Sequence, residues 1–129
     1  MNRREFVYGA ATGVAAMTVV APETLQAEPQ TMSLNVLYAR QEGARFDTGY
    51  YRDTHIPLAM RVMKASSVTL IEGVPNGTTA PPFVMIAHFQ FPSEEALKAA
   101  LANPEMADVR ADVPKFTDIR PTVMLGRSL

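Results

Sequence analysis

The sequence contains no cysteine and no run of basic residues. Without cysteine the chain cannot form disulfides or thiolate metal sites, so redox chemistry gives no indication of its compartment. Its 12 Lys and Arg residues are balanced by 13 Asp and Glu residues, for a formal net charge of −1. Because a phosphate backbone binds to a basic surface, this balance argues against a nucleic-acid partner.

A long, strongly hydrophobic run is also absent. Residues 6–22 carry no charge, but they are rich in Ala, Gly and Val and therefore only mildly apolar. A membrane-spanning helix needs about 20 strongly apolar residues, so this segment does not qualify. Arg3 and Arg4 precede it, Pro22 ends it, and Ala27 is a small residue suited to cleavage. These three parts are typical of an export signal.

The chain is therefore predicted to have two parts, an export signal at residues 1–27 and a globular domain at residues 28–129. The stretch that begins at Arg3, RREF, resembles a twin-arginine signal, whose translocase exports folded proteins. A Sec signal or an ordinary amphipathic leader is the alternative. Export by the twin-arginine or the Sec route predicts a periplasmic or secreted protein with no stable membrane anchor after cleavage.

Hydrophobic periodicity predicts an alternation of strands and helices in residues 28–129. Apolar residues recur at every second position in some segments and at helical spacing in others. The order strand, helix, strand, strand, helix, strand is typical of an α+β, ferredoxin-like βαββαβ fold, with a four-stranded antiparallel sheet and both helices on one face. The predicted strands are residues 32–40, 68–74, 83–91 and 120–128, and the predicted helices are residues 47–64, capped by Asp47, and a segment capped by Ser93, followed by a short helical piece around Met106 and Val109.

The sheet of this fold has one face that the helices leave bare. That face is expected to be polar in a monomer, yet every predicted strand has apolar residues on both faces. The rest of the chain offers no second layer, so we expect a second copy to pack sheet against sheet in a symmetric homodimer. The opposed apolar pairs are Leu34 and Leu37, Leu70 and Ile71, Met85 and Ile86, and Val123 and Met124.

The segment FDTGYYRDTHIP, residues 46–57, carries one of the two histidines. At 100° per residue, one apolar stripe of the predicted helix contains Tyr51, His55, Leu58 and Val62. Pro57 has no amide hydrogen and clashes with the preceding turn, so the helix should bend or restart near Ile56. Such a bend leaves backbone carbonyls free beside the imidazole and favours a crevice there.

Two interpretations of His55 stay open on this evidence. It is either a buried histidine hydrogen-bonded to a carbonyl or to Tyr50 or Tyr51, or a general acid or base in a small pocket. An unperturbed pKa near 6.5 suits proton transfer in both directions around neutral pH. His88, in the middle of a predicted strand, points either into a pocket or at the dimer interface. The histidines and carboxylates lack metal-ligand spacing, so no metal site is expected.

Three segments resemble the EthD family. In FDTGYYRDTHIPLAMRV an aromatic pair is followed by Thr-His and then by Pro-Leu, as in that family's helix-one signature. IAHFQFPSEEAL and DVPKFTDIRPTVMLG are similar to its third strand with the second helix and to its end. The resemblance extends over residues 32–126. It implies a ferredoxin-like fold that pairs into a dimeric α+β barrel.

The resemblance also implies a range of activities and a set of site residues. EthD-like proteins are associated with the breakdown of small organic compounds, and the wider barrel superfamily includes muconolactone isomerases, polyketide cyclases, dehydratases and haem-degrading monooxygenases. His55 falls on the signature histidine and is the candidate catalytic residue, with Tyr51 one turn before it to orient it. His88 stands where many relatives have an acidic residue. Apart from the resemblance, the candidate substrate-binding residues are Tyr50, His88, Tyr38 and Leu58.

Three functions are compatible with the sequence. The first is a homodimeric isomerase, cyclase or lyase that acts on a small, partly apolar carbonyl compound or lactone, with His55 moving a proton and no cofactor. The second is a non-catalytic protein whose crevice binds a small hydrophobic ligand. The third is a haem-binding, monooxygenase-like protein with His55 as axial ligand. The sequence does not separate the first two.

Overall fold

Four strands form one antiparallel sheet in the computed structural model, which describes residues 30–129. The strand order is β2-β3-β1-β4, so β3 lies between the parallel pair β1 and β2. This is the ferredoxin-like arrangement that the strand order predicted. The export-signal prediction for residues 1–27 lies outside the described residues. The strands are β1 (Met32–Ala39), β2 (Ser67–Glu72), β3 (Phe83–Phe91) and β4 (Thr122–Arg127).

Three helices of residues 30–129 cover one face of the sheet. The first helix, α1, has three parts that follow one another without a break. The second and third helices come between β3 and β4 in the sequence. Among residues 30–129, no helix has the length and apolar character needed to cross a membrane. The helices are α1 (α-helical over Thr48–Tyr50, π-helical over Tyr51–His55 and α-helical over Ile56–Met63), α2 (Glu94–Ala102) and α3 (Met106–Asp112), which is followed by a 3₁₀ turn (Val113–Lys115).

The start of α1 is fixed by two local interactions. The carboxylate of Asp47 accepts a hydrogen bond from the backbone N–H of Tyr50, 3.1 Å away, which caps the first turn. The ring of Phe46 packs on that of Tyr51, with ring centroids 5.2 Å apart. The cap at Asp47 was predicted from the sequence. Together the two contacts fix the direction in which the chain enters α1, and the side chain of Tyr51 lies buried in the interior.

The middle of α1 is a π-helical turn. Pro57 cannot donate a hydrogen bond to the preceding turn, and the N–H of Ile56 donates to the carbonyl of Tyr51, five residues back. The α-helical hydrogen bonding begins again at Ile56, as the proline predicted, but the π-helical turn before it was not predicted. Such turns occur often at functional sites. Here the wider turn carries Tyr51 and His55 together into the interior, where both are buried.

The bare face of the sheet is apolar at one end and polar at the other. The strand register places Leu37 beside Ile86 and Ile86 beside Ile71, which makes a continuous apolar row across three strands. The next row contains Asn35 and His88. The predicted second apolar face is therefore present over part of the sheet, and residues such as Ile71 are half exposed on it.

Candidate active site

An aromatic cluster lies between α1, the sheet and the segment after α3. Its centre is Phe116, which has no exposed surface. The ring of Phe116 lies 4.5 Å from the His55 ring, centroid to centroid, and 5.0 Å from the Tyr51 ring. His55 and Tyr51 are themselves stacked at 5.7 Å. The imidazole is thus held in position by rings on two sides. The other members of the cluster are Tyr38, Phe46 and Tyr50.

A buried carboxylate holds His55. The Nδ1 atom of the imidazole lies 3.0 Å from Oδ2 of Asp112, and both residues are almost inaccessible to solvent, at 5% and 7% exposure. The other carboxylate oxygen, Oδ1, accepts a hydrogen bond from the hydroxyl of Tyr50 at 2.8 Å. The ammonium group of Lys115 lies 3.8 Å from that same oxygen. Asp112 therefore connects Tyr50, Lys115 and His55 in one charged, hydrogen-bonded group.

The electrostatics of this pair favour a neutral imidazole and an ionised carboxylate. Burial lowers the pKa of His55 below 6.5, because the charged ring loses its hydration, although Asp112 opposes that shift. Burial raises the pKa of Asp112, but hydrogen bonds from His55 and Tyr50 and the nearby charges outweigh burial and leave this pKa below its usual value. Nδ1 then carries the proton and donates a hydrogen bond to the carboxylate of Asp112. The lone pair of Nε2 is available to act as a base.

An apolar cavity of about 170 Å³ lies between the sheet and helices α1 and α3. His55, Tyr51 and Tyr38 line it, and Nε2 of His55 makes no hydrogen bond within residues 30–129. A cavity of about 150 Å³ accommodates one benzene molecule, so this cavity suits a compact organic ligand. The remaining wall is almost entirely apolar and includes Leu34, Val36, Ile56, Ala59, Met63, Phe89, Leu101, Met106, Val109, Val113, Pro121 and Val123.

The hydroxyl of Tyr51 is buried and has no hydrogen-bond partner among residues 30–129. An unpaired buried hydroxyl costs about 1–3 kcal/mol, so its place in a cavity wall suggests that it donates to a ligand. Burial raises the pKa of Tyr51 well above its ordinary value, and the nearby Tyr38 raises it further. Burial also raises the pKa of Tyr38. Both phenols therefore remain protonated donors near His55.

The structure brings together three of the six residues that the sequence proposed for the site. His55, Tyr51 and Tyr38 line the cavity. Tyr50 lies behind them on Asp112, where the hydrogen bond to the carboxylate raises its pKa.

The other two proposed residues lie away from the cavity. Leu58 is half-buried on α1 but does not line the cavity. His88 lies on the opposite, bare face of the sheet, where Nδ1 is 2.7 Å from Oδ1 of Asn35. His55 and His88 are therefore separated by the sheet and do not share a site.

Asp112 was not predicted from the sequence. The interpretation of His55 as a buried histidine named a carbonyl, Tyr50 or Tyr51 as its hydrogen-bond partner, whereas in the structure Nδ1 of His55 lies beside Asp112. Tyr50 bonds to Asp112 instead, and Tyr51 stacks on the imidazole. One signal was available. Asp112 continues the buried stripe that Met106 and Val109 form at three-residue spacing on α3, and a carboxylate on such a stripe needs a partner inside the protein.

No group of three His, Asp or Glu side chains in the described part of the chain is arranged to hold a metal ion. The polar groups that line the cavity are one imidazole, two phenols and the guanidinium-bearing side chain of Arg110. This set can accept and donate protons and can bind an oxygen atom of a ligand.

The fold and this site define a ferredoxin-like α+β protein with a buried histidine at an apolar cavity. The family model of the EthD domain matches residues 42–120, which include both His55 and Asp112. The chain belongs to the EthD family, as its sequence signature indicated. A comparison with curated proteins finds no match.

Solved structures show the same architecture. An EthD-like protein from Ralstonia eutropha JMP134 is 29% identical, with a TM-score of 0.70 over 76% of this chain and 91% of that one. An EthD family protein from Bacillus halodurans C-125 is 21% identical, with a TM-score of 0.62 over 77% and 99%. SnoaB, a cofactor-independent oxygenase from Streptomyces nogalater, is 10% identical, with a TM-score of 0.51 over 78% and 96%. At these last two identities the likeness concerns the fold alone.

Proposed function

We propose that the protein is an acid–base enzyme, an isomerase, cyclase or lyase that acts on a small, partly apolar carbonyl compound or lactone. The observation that carries the proposal is the buried pair of Asp112 and His55, 3.0 Å apart, at the wall of an apolar cavity. A carboxylate that orients an imidazole and stabilises its protonated form is a recurring device for general-base catalysis. The carboxylate stabilises the imidazolium that forms when the base takes up a proton.

The geometry supports a specific proton transfer. Nε2 of His55 removes a proton from the carbon next to a carbonyl, and the electron pair of that C–H bond moves to the carbonyl oxygen to form an enolate. The hydroxyl of Tyr51 donates a hydrogen bond to this oxygen, and Asp112 stabilises the imidazolium. The proton then returns to the same or another carbon. Return to another carbon isomerises the substrate, and expulsion of a leaving group from the enolate is a lyase reaction.

Two other functions proposed from the sequence fit less well. A binding protein needs only a cavity and a hydrogen-bond donor. Burying the carboxylate of Asp112 has a cost in stability, and a protein that only binds a ligand does not need this carboxylate to tune the imidazole. A haem is several times larger than the benzene-sized ligand that about 170 Å³ accommodates. The volume therefore favours a compact substrate.

The proposed enzyme is a homodimer that acts after export. The apolar row formed by Leu37, Ile86 and Ile71 supports sheet-to-sheet pairing, because an exposed row of this kind is stabilised by burial. Native mass spectrometry of protein purified from the cell envelope should give twice the mass of a chain that lacks residues 1–27. Detection of a monomer at micromolar concentration would contradict the dimer, and an intact N-terminus would contradict export with cleavage.

Hydrogen–deuterium exchange tests the proposed chemistry without knowledge of the natural substrate. In D₂O, the protein should accelerate exchange of the α-protons of cyclohexanone, cyclopentanone or γ-butyrolactone, measured by proton NMR. Only neutral His55 is a base, and its pKa is lowered, so the rate should rise with pH through a midpoint below 6.5 and then stay level.

The control for this assay is the protein-free exchange rate at each pH. Binding of these compounds without any acceleration of exchange would support the ligand-binding function instead. The absence of both binding and exchange for all three compounds would argue against the enzyme.

A further inference from the structure

The cavity that His55 lines lies next to a groove at the protein surface. The groove has a volume of about 680 Å³ and lies between the end of α3 and the start of β4. Cavity and groove share four wall residues, so the two spaces are adjacent and a ligand longer than the cavity would extend towards the groove. The shared residues are Arg110, Val113, Pro121 and Val123.

Arg110 stands out among the shared residues. It is the only residue with a permanent charge among those that line the cavity in the described part of the chain. Its side chain is exposed, so it lies at the mouth rather than in the apolar interior. Arg120, just before β4, adds a second guanidinium to the wall of the groove. The mouth of the site therefore differs chemically from its interior.

Within the described part of the chain, no carboxylate forms an ion pair with the guanidinium groups at the groove, those of Arg110 and Arg120. The acidic residue that lines the groove, Asp118, is already engaged by Arg45. One oxygen of Asp118 accepts from the backbone N–H of Arg45 at 3.2 Å, and the other lies 3.5 Å from the Arg45 guanidinium. An anion in the groove would meet two available guanidinium groups.

We infer that the substrate carries a carboxylate, which Arg110, aided by Arg120, binds at the mouth while the carbonyl lies against His55 and Tyr51. This inference rests on the proposed function and narrows its substrate class to carbonyl compounds or lactones with a carboxylate a few bonds away. A guanidinium matches a carboxylate with two parallel hydrogen bonds, so the contact fixes orientation as well as adding affinity. The apolar body of such a molecule would fill the cavity and place its acidic carbon at Nε2.

A matched pair of probes tests the inference. 4-Oxocyclohexanecarboxylate and its neutral amide share the same ring and ketone and differ in charge at the position expected to face Arg110. In NMR titrations at neutral pH the carboxylate should bind about tenfold more tightly than the amide, and added salt should reduce the difference. The Arg110→Gln protein should bind the two within about twofold of each other, with its affinity for the amide unchanged. Arg120→Gln should reduce the preference in part.

Lys98→Gln is the matched control, because Lys98 is an exposed residue of α2 that lines neither the cavity nor the groove. It should leave the preference intact. Equal binding of the two probes by the wild type, an unchanged preference in Arg110→Gln, or failure of the carboxylate to bind would overturn the inference.

α-Proton exchange of the same two probes is measured separately. Equal, His55-dependent exchange of both refutes the carboxylate inference alone, whereas Arg110-dependent binding without exchange refutes the enzyme alone.

Discussion

A His55→Gln protein should exchange the α-protons of cyclohexanone about 10²- to 10⁴-fold more slowly than the wild type, the range that a positioned general base contributes. Glutamine is similar in size and retains a polar group near Asp112, but its amide does not accept a proton at neutral pH. The affinity for the ketone should change little, since most of the cavity wall is apolar and the Tyr51 hydroxyl, the proposed donor to the carbonyl, is retained. The effect should therefore appear in the turnover rate and hardly in the dissociation constant, both measured by NMR.

His88→Gln provides the matched control. His88 lies on the bare face of the sheet, outside the cavity, so the His88→Gln protein should exchange the α-protons at the wild-type rate.

Asp112→Asn tests whether Asp112 positions His55 and stabilises its protonated form, because an amide cannot stabilise the imidazolium as a carboxylate does. Its plateau rate should fall, and the midpoint of its pH profile should move lower as the pKa of His55 loses the support of the negative charge. A wild-type rate in His55→Gln would contradict the proposed base.

The fold could be predicted because its signals are local. Alternating apolar residues define the strands, and the side chains of Asp47 and Ser93 lie where helices begin because they satisfy the first free N–H groups. The predicted strand at residues 83–91 has the observed bounds, while the others differ by one to two residues at their ends. The residue at which a strand ends depends on its hydrogen bonds to neighbouring strands, and the sequence of a single segment does not show these bonds.

The site was only partly predictable because its central contact is not local. His55 and Asp112 are 57 residues apart in the sequence, and only the packing of α3 against α1 brings them together. Pro57 predicted a break in the hydrogen bonding of α1 but not the form it takes. A π-helical turn shifts the following face of the helix, so a stripe drawn at 100° per residue gives only an approximate direction for Leu58. This explains why His55 was placed correctly while Leu58 does not reach the cavity.

Phe116→Ala should lower the free energy of unfolding by about 3–5 kcal/mol, which is a large share of the 5–15 kcal/mol typical of a small domain. Phe116 is fully buried at the centre of the aromatic cluster, so truncation removes ring contacts with residues from β1, α1 and the loop before α1. Urea denaturation followed by circular dichroism measures the loss. Phe46→Ala is the control and should cost less, because the Phe46 ring is only partly buried.

The same substitution should also alter the chemistry of the site. The Phe116 ring lies 4.5 Å from the His55 ring and helps to exclude water from it. Burial is the main reason why the pKa of His55 is lowered, so hydration of the vacated space should raise that pKa towards 6.5. In the folded Phe116→Ala protein the midpoint of the exchange profile should therefore move to higher pH, opposite to the shift expected for Asp112→Asn. An unchanged midpoint, with the expected loss of stability, would mean that Phe116 supports the core without setting the protonation of the imidazole.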